Sequence, residues 1–104
     1  MMTKFDIAVY ELIKLIPSGM VTTYQEVALR LGNRAYRAVG TSLSKNPYAP
    51  KVPCHRVVKS DGRVGGYGGL KESEKKIEML RNEGREIEDG RIKDFERRLY
   101  KFGN

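Results

Sequence analysis

The stretch TTYQEVALRLGNRAYRAVGTSLSK, residues 22–45, decides the fold. Thr23 and Glu26 stand at capping-box spacing, where a hydroxyl and a carboxylate satisfy the first free N–H groups of a helix. The helix they open turns Val27, Ala28 and Leu31 inward and ends at Gly32-Asn33. Asn33 caps a further helix, RAYRAVGTSLSK, whose Val39 and Leu43 face the core. It stops by Asn46, because Pro47 disfavours helix at the residue before it. Two short helices joined by a tight Gly-Asn turn, the second rich in arginine, read as a helix-turn-helix.

Upstream, Phe5, Val9, Leu12, Ile13 and Ile16 recur at helical spacing, with Thr3 as N-cap and Pro17-Ser18-Gly19 as the stop. Met20-Val21-Thr22 reads as a short extended piece. Downstream, Pro47, Pro50 and Pro53 give a stiff, extended, non-helical path, and Val57-Val58 reads as a strand. The segment SDGRVGGYGGL is turn-forming, and it lacks the Gly-Lys-Ser/Thr that closes a P-loop. Lys71 to Asn82 reads as a mixed-charge helix with Ile77 and Leu80 inside and Gly84 as its C-cap. The tail carries an Asp-Gly turn and a last short helix burying Phe95, Leu99 and Phe102. The expectation is a mainly α fold over residues 1–104: a small helical bundle with a winged-helix-like helix-turn-helix at about 23–45 and short β-strand elements.

The chain has 104 residues, enough for one modest core, and a single cysteine, which excludes an internal disulfide and suits a reducing cytosol. No apolar run approaches a membrane span, and the charged residues within the first sixteen argue against a signal peptide. The expected location is the cytoplasm or nucleoid, or the nucleus in a eukaryotic host, with no membrane partner. The net charge is +7, from 20 Lys and Arg against 13 Asp and Glu. Between Arg30 and Arg63 lie eight basic residues and one acid, Asp61, so the rest of the chain is balanced. A localised basic block is the electrostatic footprint of a polyanion partner, nucleic acid above all. An evenly solvated basic surface would spread the charge instead.

At the centre of that block, VPCHRVV (residues 52–58) holds the only cysteine and the only histidine of the chain, side by side. A lone cysteine is more often a small buried hydrophobe than a nucleophile. Adjacency along an extended chain does not make a dyad either, because neighbouring side chains point to opposite faces. Cationic neighbours favour the reactive reading, since they raise the thiolate fraction.

Pro53-Cys54-His55-Arg56-Val57 resembles the active-site motif (53–57) of the O6-alkylguanine-DNA alkyltransferases. GMVTTYQEVA (19–28), RAVG (37–40), NP (46–47), the glycine-rich loop (62–70) with VGGYGGL, and NEG (82–84) follow that family's C-terminal active-site domain in order. The resemblance covers roughly residues 5 to 90. It implies direct, stoichiometric and irreversible transfer of an alkyl group from guanine O6 in DNA to Cys54, in a protein consumed by one turnover, without cofactor or metal. His55 would take the thiol proton through a bridging water, and Glu83 would orient that imidazole. Tyr24 would hydrogen-bond the guanine ring, and Asn46 would pin the turn into the active-site strand. Arg37 would fill the space left by a nucleotide rotated out of the duplex, since a stacked base cannot present its substituent to a buried thiol.

The same resemblance implies a monomer on double-stranded DNA, with the helix-turn-helix in the minor groove. Small Ala35, Ala38 and Gly40 would allow close approach, with Tyr36, Thr23 and Arg34 beside them and phosphate contacts dominant. Pro53, Val64, Gly65, Tyr67 and Gly68 would line the substrate pocket. Three departures stand out. The family's frequent N-terminal domain has no counterpart here; Tyr36 stands beside Arg37 where a small residue is usual; and the loop after Tyr67 lacks the usual serine. The resemblance also extends to the alkyltransferase-like proteins, which bind alkylated DNA without the reactive cysteine. A non-catalytic damage-binding protein and a helix-turn-helix regulator are therefore the alternatives. A thiol hydrolase is remote, because nothing resembles an oxyanion-hole elbow.

Overall fold

A computed structural model describes residues 2–65 and 74–102. Helix α1 spans Lys4–Ile13 and starts where the sequence places it. Thr3 Oγ1 accepts from the Asp6 N–H while an Asp6 carboxylate oxygen accepts from the Thr3 N–H, a reciprocal box. Its inward face is Val9, Tyr10 and Ile13, with Ile16 buried just beyond the end, whereas Phe5 and Leu12 are half-buried.

Strand β1 (Thr22–Thr23) leads into α2 (Tyr24–Arg30), whose N–H at Glu26 is capped by Thr23 Oγ1. Gly32, at φ +81°, ends α2 in a Schellman turn: the Gly32 N–H bonds the Leu29 carbonyl and the Asn33 N–H bonds that of Ala28. Helix α3 runs Tyr36–Ser44, two residues later than the sequence suggests. Asn33 does accept from the Ala35 N–H at 2.8 Å, but that bond closes a turn. Ala35 becomes the N-cap and provides no side-chain cap. Val39 and Leu43 face the core as expected, and α2 and α3 form the helix-turn-helix.

The three prolines do not keep the following segment extended throughout. Pro53, at φ −80° and ψ 68°, sits in an inverse γ-turn closed by the Cys54 N–H on the Val52 carbonyl at 2.8 Å. The Arg56 N–H then bonds the Pro53 carbonyl at 2.9 Å, so Cys54–Arg56 form one 3₁₀ turn. Proline is compatible with this because its carbonyl still accepts and its φ already suits the turn. Strand β2 (Val57–Val58) pairs in parallel with β1, Thr22 opposite Val57 and Thr23 opposite Val58.

This pair divides the core by pleat alternation. Val57 joins α1–α3, Val52 and Cys54 on one side, while Val58 joins Val21, Val64, Leu80, Ile87 and Ile92 on the other. Helix α4 (Glu74–Asn82) covers the second side, and Gly84 at φ +88° follows it as the sequence suggests. Residues 71–73, which the sequence assigns to the same helix, lie outside the described residues. Strands β3 (Ile87–Glu88) and β4 (Arg91–Ile92) form a hairpin across Asp89-Gly90, both at positive φ. Helix α5 (Phe95–Arg98) is a single turn; Phe95, Leu99 and Phe102 are half-buried, short of the full burial expected. Instead the chain after α5 adds an edge to β1: the Val21 N–H bonds the Arg98 carbonyl, and the Tyr100 N–H bonds the Val21 carbonyl. The result is the mainly α, winged-helix-like bundle with short strands that the sequence implies.

Candidate active site

The 3₁₀ turn removes the objection to the Cys54-His55 pair, because successive side chains on such a turn diverge by about 120° instead of lying on opposite faces. Both residues are buried, and Cys54 is a free thiol packed against the first core. His55 Nε2 lies 3.0 Å from Glu83 Oε2. Burial pushes the imidazole below its usual value of 6.5, with Arg56 and Lys76 adding to this against the raising effect of Glu83. His55 is therefore held neutral near pH 7, the form that accepts a proton. Burial acts against the ionised Glu83 carboxylate, but hydrogen bonds from Arg56 and His55 outweigh it and hold its pKa below the usual 4.5.

Arg56 was legible in the sequence as a member of the 53–57 motif and one charge of the basic block, without a role of its own. In the structure it is turned inward. Its Nε donates to Glu83 Oε1 at 3.0 Å, its Nη2 to Oε2 at 2.6 Å and its Nη1 to the Ile16 carbonyl at 2.9 Å. A forked guanidinium matches a carboxylate in two bonds, so Glu83 is fixed in the one orientation that also meets His55. Arg56 is thus withdrawn from the basic surface, whereas Lys45, which pairs with buried Asp6 at 3.1 Å, stays exposed. Arg30, Arg34, Arg37, Lys51 and Lys59 stay exposed.

Lys76 was missed altogether. Its ammonium is fully buried, donates to the Val57 carbonyl at 2.6 Å and stands 5.8 Å from the centre of the Tyr24 ring. Burial lowers its pKa to about 7, against a raising effect of negative charge at Cys54. The signal lay in helical spacing: Lys76 and Leu80 fall at i and i+4 on one face of α4, and Glu83, just past its end, at i+7. A lysine on a face otherwise given to the core and to a site acid is the anomaly.

Tyr24 is half-buried beneath α3, its ring against Gly40, where an added Cβ would lie 3.9 Å from the ring. Burial and then charge at Cys54 push the phenol up to about 12, so it remains a donor. Asn46 Nδ2 donates to the Val52 carbonyl at 2.9 Å and its Oδ1 accepts from the Tyr48 N–H at 2.9 Å. It therefore clamps the 46–52 turn immediately before Pro53 and Cys54.

Tyr24 also opens onto a groove of about 680 Å³, lined among the described residues by Tyr24, Gln25, Tyr36, Gly40, Lys59, Ser60 and Asp61. Ala35, Arg34, Arg37 and Ala38 are exposed on the same α2–α3 unit. Tyr36, half-exposed, lines the groove itself. Thr23 is buried, and its hydroxyl accepts from the Glu26 N–H as the α2 cap, so it positions that helix. Pro53 and Val64 are likewise buried, outside the described groove lining. Val64 belongs to the second core, whereas a Cβ at Gly65, where φ is +77°, would lie 3.8 Å from the Tyr24 hydroxyl. Tyr67 and Gly68 lie outside the described residues. Gln25, Lys59, Ser60 and Asp61 are groove residues that sequence reasoning did not select.

The family model for the DNA-binding domain of 6-O-methylguanine DNA methyltransferase matches residues 4–85. A bifunctional methyltransferase/endonuclease of Picrophilus torridus is 48% identical over 97 residues, which are 91% of this chain and 30% of that protein. A methylated-DNA–protein-cysteine methyltransferase of Methanothermobacter thermautotrophicus is 44% identical over 78 residues, 74% of this chain and 44% of that protein. The chain thus spans less than half the length of these relatives. Among solved structures, S. pombe Atl1 in complex with damaged DNA containing O6-carboxymethylguanine superposes with a TM-score of 0.83 at 29% identity, covering 97% of this chain and 98% of that one. Mycobacterium tuberculosis OGT in complex with DNA gives 0.73 at 38% identity, covering 80% of this chain and 51% of that one. By the match over residues 4–85, the chain belongs to the 6-O-methylguanine DNA methyltransferase family, as its DNA-binding domain.

Proposed function

We propose that this chain repairs DNA by moving an alkyl group from guanine O6 directly and irreversibly to Cys54. The observation that carries the reading is the buried Cys54-His55 turn whose imidazole meets Glu83 at 3.0 Å, with Tyr24 between that turn and the groove. Neutral His55 takes the thiol proton through a water, and Glu83, locked by Arg56, stabilises the imidazolium. The sulfur attacks the alkyl carbon in line; the S–C bond forms, the C–O6 bond breaks and its electron pair stays on guanine. Tyr24 donates a hydrogen bond to the ring, and the proton that His55 took from the thiol is released through water to the departing guanine, so His55 ends neutral and charge balances. The thioether is stable, which makes the protein a single-turnover methyltransferase equivalent to the family's active-site domain.

The partner is double-stranded DNA, approached by α3 through the minor groove with the damaged nucleotide rotated into the groove beside Tyr24. Arg37 occupies the vacated stack. The chain acts as a monomer in the cytoplasm or nucleoid, or in the nucleus of a eukaryote. A second reading, a non-catalytic damage-binding protein, is favoured by the near-complete mutual coverage with Atl1. Cys54→Ala separates the two: transfer from an O6-methylguanine duplex is abolished while affinity for that duplex is retained. Undiminished methyl transfer by the variant would remove Cys54 from the mechanism.

A further inference from the structure

The C-terminal hairpin lies beyond the residues 4–85 that match the family, yet it is built into the rim of the groove. The Ile92 N–H bonds the Gly62 carbonyl at 3.0 Å, and the Val64 N–H bonds the Gly90 carbonyl at 2.9 Å. These two bonds flank the antiparallel bridge between Arg63 and Arg91. Such a widely spaced pair brings two side chains closer than any other position in a ladder. Like charges directly opposite each other destabilise a sheet, and here two arginines are directly opposite.

One carboxylate stands between them. Asp61 Oδ2 is 3.5 Å from Arg63 Nε and 3.9 Å from Arg91 Nη2, while its Oδ1 accepts from the Arg63 N–H at 3.0 Å. Both contacts are long for charge-assisted bonds, and both arginines are more than half exposed, at 61% and 56%. The carboxylate is held below its usual 3.8, first by the Arg63 backbone and then by the two guanidiniums against partial burial. Asp61, Ser60 and Lys59 line the groove that holds Tyr24 and Tyr36. With Lys59 included, this rim carries three cations beside Asp61, while Glu88, opposite Arg91 on β3, is paired with Lys93 at 3.7 Å.

We propose that Arg63 and Arg91 form a backbone-phosphate clamp, in which one DNA phosphodiester bordering the groove is gripped by both guanidiniums. The proposal rests on the DNA reading above. It adds a contact made by the wing, apart from α3. The forked donors suit a phosphate's two free oxygens, and a phosphodiester in this position relieves the repulsion that a single shared carboxylate only partly offsets.

The test is the salt dependence of duplex binding by the full chain, measured by fluorescence anisotropy with a labelled O6-methylguanine duplex. One phosphate contact contributes a slope of about 0.9 in log K against log salt. The variant Arg63→Gln/Arg91→Gln is expected to lower the slope by about that amount, with its melting temperature checked against the parent. Asp61→Asn keeps the Oδ1 acceptor for the Arg63 N–H but removes the competing charge, and is expected to bind several-fold tighter. If the parent binds with a steep slope and both variants match it, the clamp is wrong and the DNA reading stands. If the parent shows no salt-dependent binding, both fall together.

Discussion

Replacing Lys76 with methionine separates what the buried ammonium costs from what it does. Lys76 is fully buried and its pKa falls from 10.5 to about 7. At about 1.4 kcal/mol per pH unit, holding it charged below pH 7 costs the folded state about 5 kcal/mol relative to the unfolded chain. Between about pH 7 and 10.5 the unfolded chain binds the extra proton, so stability rises with pH across that window. Tyr24, whose pKa is pushed up to about 12, and Tyr10, also raised by burial, act in the opposite sense above about pH 10. The clean interval is therefore pH 7 to 9.5, over which the parent gains about 3 kcal/mol. Methionine has no such titration, but it orphans the Val57 carbonyl, at about 1 to 3 kcal/mol.

Lys76→Met is thus expected to be more stable than the parent by about 2 to 4 kcal/mol at pH 6, with the advantage shrinking toward pH 9.5. Urea unfolding followed by circular dichroism at a series of pH values reads this directly. The same variant should transfer alkyl groups more slowly at pH 7, because the cation opposing negative charge at Cys54 is gone. Parallel stability curves for the two proteins over pH 7–9.5 would refute the reasoning, since a lysine titrating normally in the fold gives no difference in slope.

Glu83→Gln removes the acceptor shared by His55 and Arg56. Single-turnover transfer should fall on the order of 10²-fold, the scale of a general base that has lost its orientation. In the parent the acid limb of the rate profile should lie below 6.5, and in the variant lower still, because Glu83 is what raises His55 against burial. A limb moving upward would contradict the assignment. At the other end of the molecule, buried Asp6 takes the Ser42 hydroxyl, the Thr3 N–H and Lys45, tying α1 to α3. Its pKa lies well below 3.8, set first by the Ser42 hydroxyl and the Thr3 N–H. The stability it contributes is present above that value and lost as pH falls further. Asp6→Asn should flatten the acid unfolding curve below about pH 4; an unchanged curve in circular dichroism would place the acid sensitivity elsewhere.

What was legible in the sequence was local. Thr3 and Thr23 mark helix starts, Gly32-Asn33 an end and Asp89-Gly90 a hairpin, because each acts through its own backbone within a few residues. The late start of α3 was not legible, since Asn33 has two ways to use one side-chain oxygen and the turn wins. The 3₁₀ turn at Cys54 was hidden behind prolines that normally forbid helix, though it needs only the Pro53 carbonyl. The site divides in the same way. Cys54 and His55 stand out by their adjacency, whereas Glu83, Tyr24 and Asn46 enter only through the resemblance to the alkyltransferases. The inward turn of Arg56, the burial of Lys76 and the bridge between Arg63 and Arg91 depend on contacts between segments 19 to 28 residues apart. Of these only the burial of Lys76 leaves a trace within one element, its place at helical spacing with Leu80 on α4.

The most direct measurement is the intact mass of the protein after incubation with a duplex containing one O6-methylguanine. The account predicts a gain of one methyl group, mapped to the peptide containing Cys54, with ordinary guanine left in the DNA. An unchanged mass, with the protein still bound to the damaged duplex, would contradict it and make the chain a sensor with a silent cysteine.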